Sequence, residues 1–170
     1  RLNGWVGYTY AKTKYFTEPS GWHHPNFDRT HTINIVGNIE LTEELEISTA
    51  LTQSSGNPYT KILGRVYDWE QNLYQDTYWY PLDSYIVGEK NTERYDDYFR
   101  IDVGMTRKGG NLFGLQYDTY WQVMNVTKHL NAFSYAYRTK TGMNGNQLGV
   151  ERRVVPQFPL ILTFGVKFEF

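Results

Sequence analysis

The side chains of greatest chemical reach in this chain are aromatic. Between Gly56 and Asp97 stand Tyr59, Tyr67, Trp69, Tyr74, Tyr78, Trp79, Tyr80 and Tyr85. Tyr and Trp offer rigid, amphipathic contact area with a polar handle, suited to stacking on sugars, peptides or chelated metal complexes. Tyr67, Trp69, Tyr74, Tyr78, Trp79 and Tyr80 are therefore the candidate ligand contacts. The same rings could instead pack this long segment onto its neighbours and onto a lipid headgroup region. Long connecting segments are often functional, which keeps the contact reading open. His23, His24 and His31 raise the question of a metal, since imidazole is a common ligand. Their spacing fits no metal motif and the chain has 0 Cys, so they read as surface-loop histidines and no metal is expected. There is no paired catalytic motif, no Gly-rich phosphate loop after a strand and no Ser-centred elbow. No catalytic residue and no cofactor are assigned, and the chain does not read as an enzyme.

The elements that must position these groups are strands. Leu2, Gly4, Val6, Tyr8 and Tyr10 alternate with Asn3, Trp5, Gly7, Thr9 and Ala11. Ile33, Ile35, Gly37, Ile39 and Leu41 do so with Thr32, Asn34, Val36, Asn38 and Glu40, and after a tight turn at Thr42 to Glu44 the pattern resumes from Leu45 to Thr52. It returns from Phe99 to Thr106, from Phe113 to Val123 after a turn at Lys108-Gly109-Gly110, and from Leu160 to Phe170. A period of two over ~10 residues, enriched in Ile, Val and Tyr, is the strand signature. The reading is all-β, six strands and no helix.

The connections alternate in length. Thr42 to Glu44 and Lys108 to Gly110 are minimal, whereas Thr17 to Arg29, Gly56 to Asp97 and Asn125 to Gln157 are long and read as loops without structure. Compact soluble domains seldom carry such loops beyond ~12–15 residues. Short turns at one end and long loops at the other are the layout of an antiparallel transmembrane β-barrel, whose strands need ~9–11 residues to cross. Aromatics near strand ends (Tyr8, Tyr10, Tyr15, Tyr117, Trp121, Phe168) fit interfacial girdles. The competing architecture is a soluble sandwich or lipocalin-like barrel with the isoleucines turned inward. In the membrane reading Asn34, Asn38, Ser48, Gln116 and Lys167 line a wet lumen, and Arg100 and Asp102 share that face. These two charges are expected in a ladder with Glu46 and Asp118 of neighbouring strands. Asp28 and Arg29 are expected to tie a loop base together, and Arg152-Arg153 to be solvated.

Composition sets further bounds. With 17 basic and 18 acidic residues the net charge is -1, which lacks the basic excess a nucleic-acid binder needs. No run of 18 apolar residues supplies a transmembrane helix. The sequon Asn125-Val126-Thr127 is discounted as a glycosylation site. The chain opens at Arg1-Leu2-Asn3-Gly4-Trp5, already inside an alternating pattern and without Met or signal peptide, and so reads as a piece of something longer.

The final eight residues run Thr163-Phe164-Gly165-Val166-Lys167-Phe168-Glu169-Phe170. Thr163, Gly165, Phe168 and the terminal Phe170 resemble the signal by which outer-membrane barrels are recognised for assembly. With that anchor, the whole chain resembles the C-terminal part of a TonB-dependent receptor, in the branch with a carboxypeptidase-regulatory-like N-terminal extension. Pro25-Asn26-Phe27-Asp28-Arg29-Thr30-His31, Ser55-Gly56-Asn57-Pro58-Tyr59-Thr60, Tyr98-Phe99-Arg100-Ile101-Asp102 and Gln122-Val123-Met124-Asn125-Val126 are each similar to segments of that family, in the right order. Thr127 and Lys128 depart from its Phe-Asn, and Asp96 stands where relatives often have Pro. The resemblance implies the last six strands of a plugged 22-stranded barrel in the outer membrane of a Gram-negative bacterium, with plug and TonB box upstream. It further implies active import of a scarce ligand with energy from the TonB complex. The implied partners are the N-terminal part of the same receptor, outer-membrane lipid, the barrel assembly machinery and a surface lipoprotein. A small structural or adhesive barrel and a soluble Tyr-rich binding module are the alternatives.

Overall fold

The computed structural model describes residues 1–67, 83–141 and 147–169, and these contain strands, turns and no helix. In chain order the strands begin with β1 (Leu2–Tyr10), β2 (Tyr15–Thr17), β3 (Gly21–His23), β4 (His31–Glu40) and β5 (Leu45–Ser54). Next come β6 (Pro58–Tyr59), β7 (Ile62–Tyr67), β8 (Asp83–Val87), β9 (Glu93–Arg94) and β10 (Tyr98–Leu112). The last are β11 (Leu115–Met124), β12 (Ala132–Thr141), β13 (Gln147–Pro156) and β14 (Ile161–Glu169). Six of them form one antiparallel sheet in the order β1-β4-β5-β10-β11-β14, so that chain order is spatial order. These are the six strands that the alternation marks. The sheet is open at β1 and β14, and no closed barrel is formed by the described residues.

Register explains why the alternation is so regular. Gly4 lies opposite Gly37, which lies opposite Thr49, then Val103, Val123 and Leu162. The adjoining same-face row is Leu2, Ile39, Ile47, Met105, Trp121 and Phe164. One face is thus apolar across all six strands. The other carries Asn3, Asn38, Ser48, Gly104, Gln122 and Thr163 level with one another. No second layer covers the apolar face among the described residues. Even in the middle of the sheet, with a strand on either side, Ile35 is 38% exposed, Ile39 44% and Met105 39%. The buried side chains among the described residues are instead mostly polar (His23, Asp28, Ser54, Asn91, Asp102, Asn125 and Asn131), beside Tyr59 and the prolines Pro25 and Pro58.

Two expectations are corrected. The strand does not turn at Lys108-Gly109-Gly110. β10 continues through a register shift between Arg107 and Gly110, with Gly109 in the left-handed region at φ 82°. The reversal comes at Phe113 (φ 52°) and Gly114 (φ 87°), a two-residue hairpin turn with both central residues left-handed. Gly-Gly here absorbs an extra residue as a bulge, because β10 must stay level with β5 as far as Leu45. Nor are the long segments without structure. They pair β2 with β3, β6 with β9, β7 with β8 and β12 with β13, because backbone donors and acceptors of such long segments need partners.

Gly165 of the C-terminal pattern has a specific task. It lies opposite Tyr120, whose ring occupies the space above it, and a Cβ at Gly165 would collide with that ring. Thr163 faces Gln122, and Phe168 meets Tyr117 with ring centroids 6.0 Å apart. Phe170 lies outside the described residues.

Candidate ligand-binding cleft

The end of the sheet opposite its short turns is held by a buried polar knot. Asp28, 2% exposed, accepts the Thr13 amide on Oδ1 at 2.7 Å and the Arg94 guanidinium on Oδ2. Arg94 Nη1 also donates to the carbonyl oxygens of Asp28 and Gly56, at 2.8 and 2.9 Å. His24 Nδ1 stands 3.2 Å from Oδ2 without the alignment of a hydrogen bond. Burial pushes the Asp28 carboxyl upward, but the bonds from Arg94 and Thr13 and the electrostatic influence of His24 and Arg94 outweigh it and hold it below the ordinary value. Arg29 works beside it rather than on it, donating from Nε to Asn57 Oδ1 at 2.9 Å and from Nη1 to Ser54. Asp28 and Arg29 therefore do tie a loop base, each through its own partners.

Beyond the knot lies a cleft of about 500 Å³, within the ~300–1,000 Å³ usual for ligand pockets. Its wall is a cluster of tyrosines: the Tyr59–Tyr95, Tyr59–Tyr135 and Tyr95–Tyr135 ring centroids are 4.6, 5.0 and 4.8 Å apart, in tilted and edge-on arrangements. Arg152 lies over the Tyr135 ring, 4.1 Å from its centroid, and donates to the Tyr59 hydroxyl at 2.9 Å. Arg152 and Arg153 are both exposed, as expected, but Arg152 is also engaged in this cation–π contact and Arg153 stands 3.7 Å from Glu151. Burial raises the Tyr95 phenol, and the neighbouring tyrosines add to it. Burial likewise raises Tyr135 although Arg152 pulls the other way. Both stay protonated at neutral pH. The Tyr137 hydroxyl, on the same cleft, is buried with no hydrogen-bond partner.

The polar lining is fixed by an unambiguous chain of bonds. Asn91 Nδ2 donates to the His24 carbonyl at 2.6 Å, and a carbonyl can only accept. The Asn26 atom facing the same Nδ2 at 2.6 Å is therefore its oxygen. Asn57 likewise turns its oxygen to Arg29. Each amide oxygen thus accepts one such bond, and neither NH₂ group has a described partner. Lys90 joins them on the lining, and no carboxylate does so among the described residues.

Of the candidate ligand residues, Trp69, Tyr74, Tyr78, Trp79 and Tyr80 lie outside the described residues, and Tyr67 closes β7 opposite Asp83. Tyr59, from the wider aromatic set, reaches the cleft, whereas Tyr95, Tyr135 and Tyr137 were not singled out in sequence. Arg100 and Asp102 do pair, at 2.9 Å, and Asp102 also accepts the Asn125 amide at 2.9 Å. Their expected ladder does not form. Glu46 is level with Thr106 whereas Arg100 is level with Thr52, six residues along, or ~20 Å at ~3.3 Å per residue. Glu46 pairs instead with Lys108 at 3.1 Å, and Asp118 accepts the Gly109 amide at 3.2 Å. His23, expected at the surface, is buried with Nδ1 at 2.9 Å from the Gly21 carbonyl, and His31 contacts the Tyr8 hydroxyl at 2.8 Å. No protein-family pattern, curated protein or solved structure matches this chain.

Proposed function

We propose that this chain supplies strands to the wall of an outer-membrane β-barrel, the C-terminal part of a TonB-dependent transporter that imports a scarce ligand. The observation that carries the reading is the uncovered apolar face. In water, a face that leaves Ile35, Ile39, Met105, Leu162 and Phe164 exposed would be an aggregation surface; against lipid tails it is solvated. The burial of polar rather than apolar side chains points the same way. So do the ten-residue spans of β4, β5 and β11 and the confinement of elaborate hairpins to one end. The open edges of β1 and β14 present backbone groups that lipid cannot satisfy, so in this reading further strands close the sheet.

In such a transporter no bond is broken. Loops capture the ligand, the polar face lines the passage, and TonB-coupled displacement of a plug lets the ligand through. This chain has 0 Cys, so single cysteines placed in it can be read against the unsubstituted protein. In the complete protein on cells, Lys90→Cys should react with a membrane-impermeant maleimide, Glu43→Cys only after permeabilisation, and Ile35→Cys in neither state. Free reaction at Ile35→Cys would overturn the membrane reading. Ligand uptake that persists without TonB would overturn the transporter and leave a barrel of another kind.

A further inference from the structure

We propose that the apolar face of the sheet carries, near its short-turn end, a docking site for the headgroup of an anionic phospholipid, built on Arg107. On that face the row Ile47, Met105, Trp121 and Phe164 is followed by Leu45, Arg107, Thr119 and Val166, and then by Gly110, Tyr117 and Phe168. Arg107 is exposed, and among the described residues neither an ion pair nor a hydrogen bond engages its guanidinium. Two hydroxyls stand beside it, likewise without a described partner. Thr119 lies directly opposite Arg107. Tyr117 lies opposite Gly110, and its ring crosses onto β10 with Cζ, the carbon that bears the hydroxyl, over the glycine. The bulge makes this possible, because it leaves Arg107 and Gly110 on one face and two positions of β11 apart, or ~7 Å. One cation and two hydroxyl donors thus interrupt a surface that is otherwise apolar. The acids of β5, β10 and β11 (Glu46, Asp102 and Asp118) fall on the opposite face, and Glu43 and Glu44 of the nearby turn form no ion pair with Arg107. The guanidinium and hydroxyls suit a phosphodiester of net negative charge, whose acyl chains continue over the exposed Met105, Trp121 and Phe164. A zwitterionic lipid brings its own cation to compete, and free phosphate gains nothing from the apolar rows.

The proposal rests on the reading of the uncovered face as lipid-facing, and one experiment separates the two. In the complete protein, Val166→Cys, in the Arg107 row, is labelled with bimane and reconstituted in phosphatidylcholine nanodiscs. A minority of the lipid is replaced by phosphatidylglycerol or by phosphatidylcholine with brominated acyl chains, which quench only a fluorophore they touch. Brominated phosphatidylglycerol should quench as though enriched about fivefold at the label, the worth of one cation beside an anionic headgroup. Arg107→Gln should bring it down to the level of brominated phosphatidylcholine. Arg107→Lys, which keeps the charge without the planar fork, should retain part of the preference. Lys108→Gln, one residue along and paired with Glu46 on the opposite face, should leave it unchanged. Soluble glycerophosphate should not relieve the quenching, and relief would assign the site to free phosphate instead. Equal quenching by the two lipids, or a preference that survives Arg107→Gln or is removed as well by Lys108→Gln, would overturn the proposal while the lipid-facing reading stood. No quenching by either lipid would overturn that reading and the proposal with it.

Discussion

Replacing Asp28 by asparagine tests the loop-end architecture with one atom. The carboxylate holds the Thr13 amide on one oxygen and Arg94 on the other. An asparagine that keeps its oxygen on Thr13 turns its NH₂ toward the Arg94 guanidinium, donor against donor; flipped, it forfeits Thr13. A hydrogen bond to a charged group contributes ~1.5–3 kcal/mol, and breaking a fully buried ion pair costs ~3–5 kcal/mol. The Arg94 side chain is 32% exposed and keeps its two carbonyl partners, so the cost falls between, at about 2–3 kcal/mol. At ~1.36 kcal/mol per factor of ten, local opening should become ~30–150-fold more frequent. Hydrogen-exchange mass spectrometry of the complete protein reads this directly. Peptides from 11–30 and 88–97 should exchange faster by that factor while β4 and β5 keep their rates. Acid should do the same to the wild type. Because the folded Asp28 is held below its ordinary value of 3.8, its stabilisation is complete above that value and is lost as pH falls through the depressed one. The Asp28→Asn substitution removes this acid dependence. A change under threefold in the 11–30 peptides, or equal acceleration in β4, would refute the argument.

Other perturbations probe the sheet and the cleft. Ile35→Lys, on the apolar face, should cost ~2–4 kcal/mol in urea unfolding of the complete protein in bilayers, as lysine does near a barrel's lipid midplane. Asn34→Lys, one residue along on the opposite face, should cost far less, and equal losses would void the assignment of faces. Gly165→Ala drives a methyl group into the Tyr120 ring and should lower the yield of heat-modifiable barrel several-fold. Adding Tyr120→Ala should restore much of it, and wild-type assembly of Gly165→Ala alone would show that the ring does not occupy that space. Tyr137→Phe removes a buried hydroxyl that has no partner, so stability should hold or rise by up to ~1 kcal/mol. A loss above ~1 kcal/mol in thermal unfolding would contradict the absence of a partner.

The strands of the sheet were legible because each is flanked by neighbours in sequence order and meets one environment on each face. From Ile33 to Ile39 only Val36 breaks the period of two, and from Leu162 to Phe168 nothing does. Where pairing depends on a distant register, the local signal misleads. Lys108-Gly109-Gly110 has the composition of a turn, yet β5 runs alongside as far as Leu45, and the Lys108 amide donates to the Glu44 carbonyl at 2.7 Å. The hairpin of β12 and β13 did leave a trace, since Phe133, Tyr135 and Tyr137 alternate with Ser134, Ala136 and Arg138. It lacks the uniform apolar face that makes such alternation conspicuous, and its register shifts between Ala132 and Ser134.

The cleft was the least legible part, for a reason that bears on how it would recognise a ligand. An asparagine in a sequence has no polarity: it is donor and acceptor at once. Arg29, 28 residues away, takes the Asn57 oxygen, and Asn91, 65 residues from Asn26 and itself oriented by the His24 carbonyl, takes the Asn26 oxygen. The bonds that fasten the loop bases to one another thus also fix these lining amides. A change in the knot that leaves every lining residue in place would still release them. Arg29→Gln is the case in point: its amide can offer Asn57 either a donor or an acceptor, so Asn57 regains the freedom to flip. Hydrogen exchange in peptides covering residues 54–60 should then quicken even though no lining side chain has been replaced, and unchanged exchange would show that Arg29 does not hold that amide.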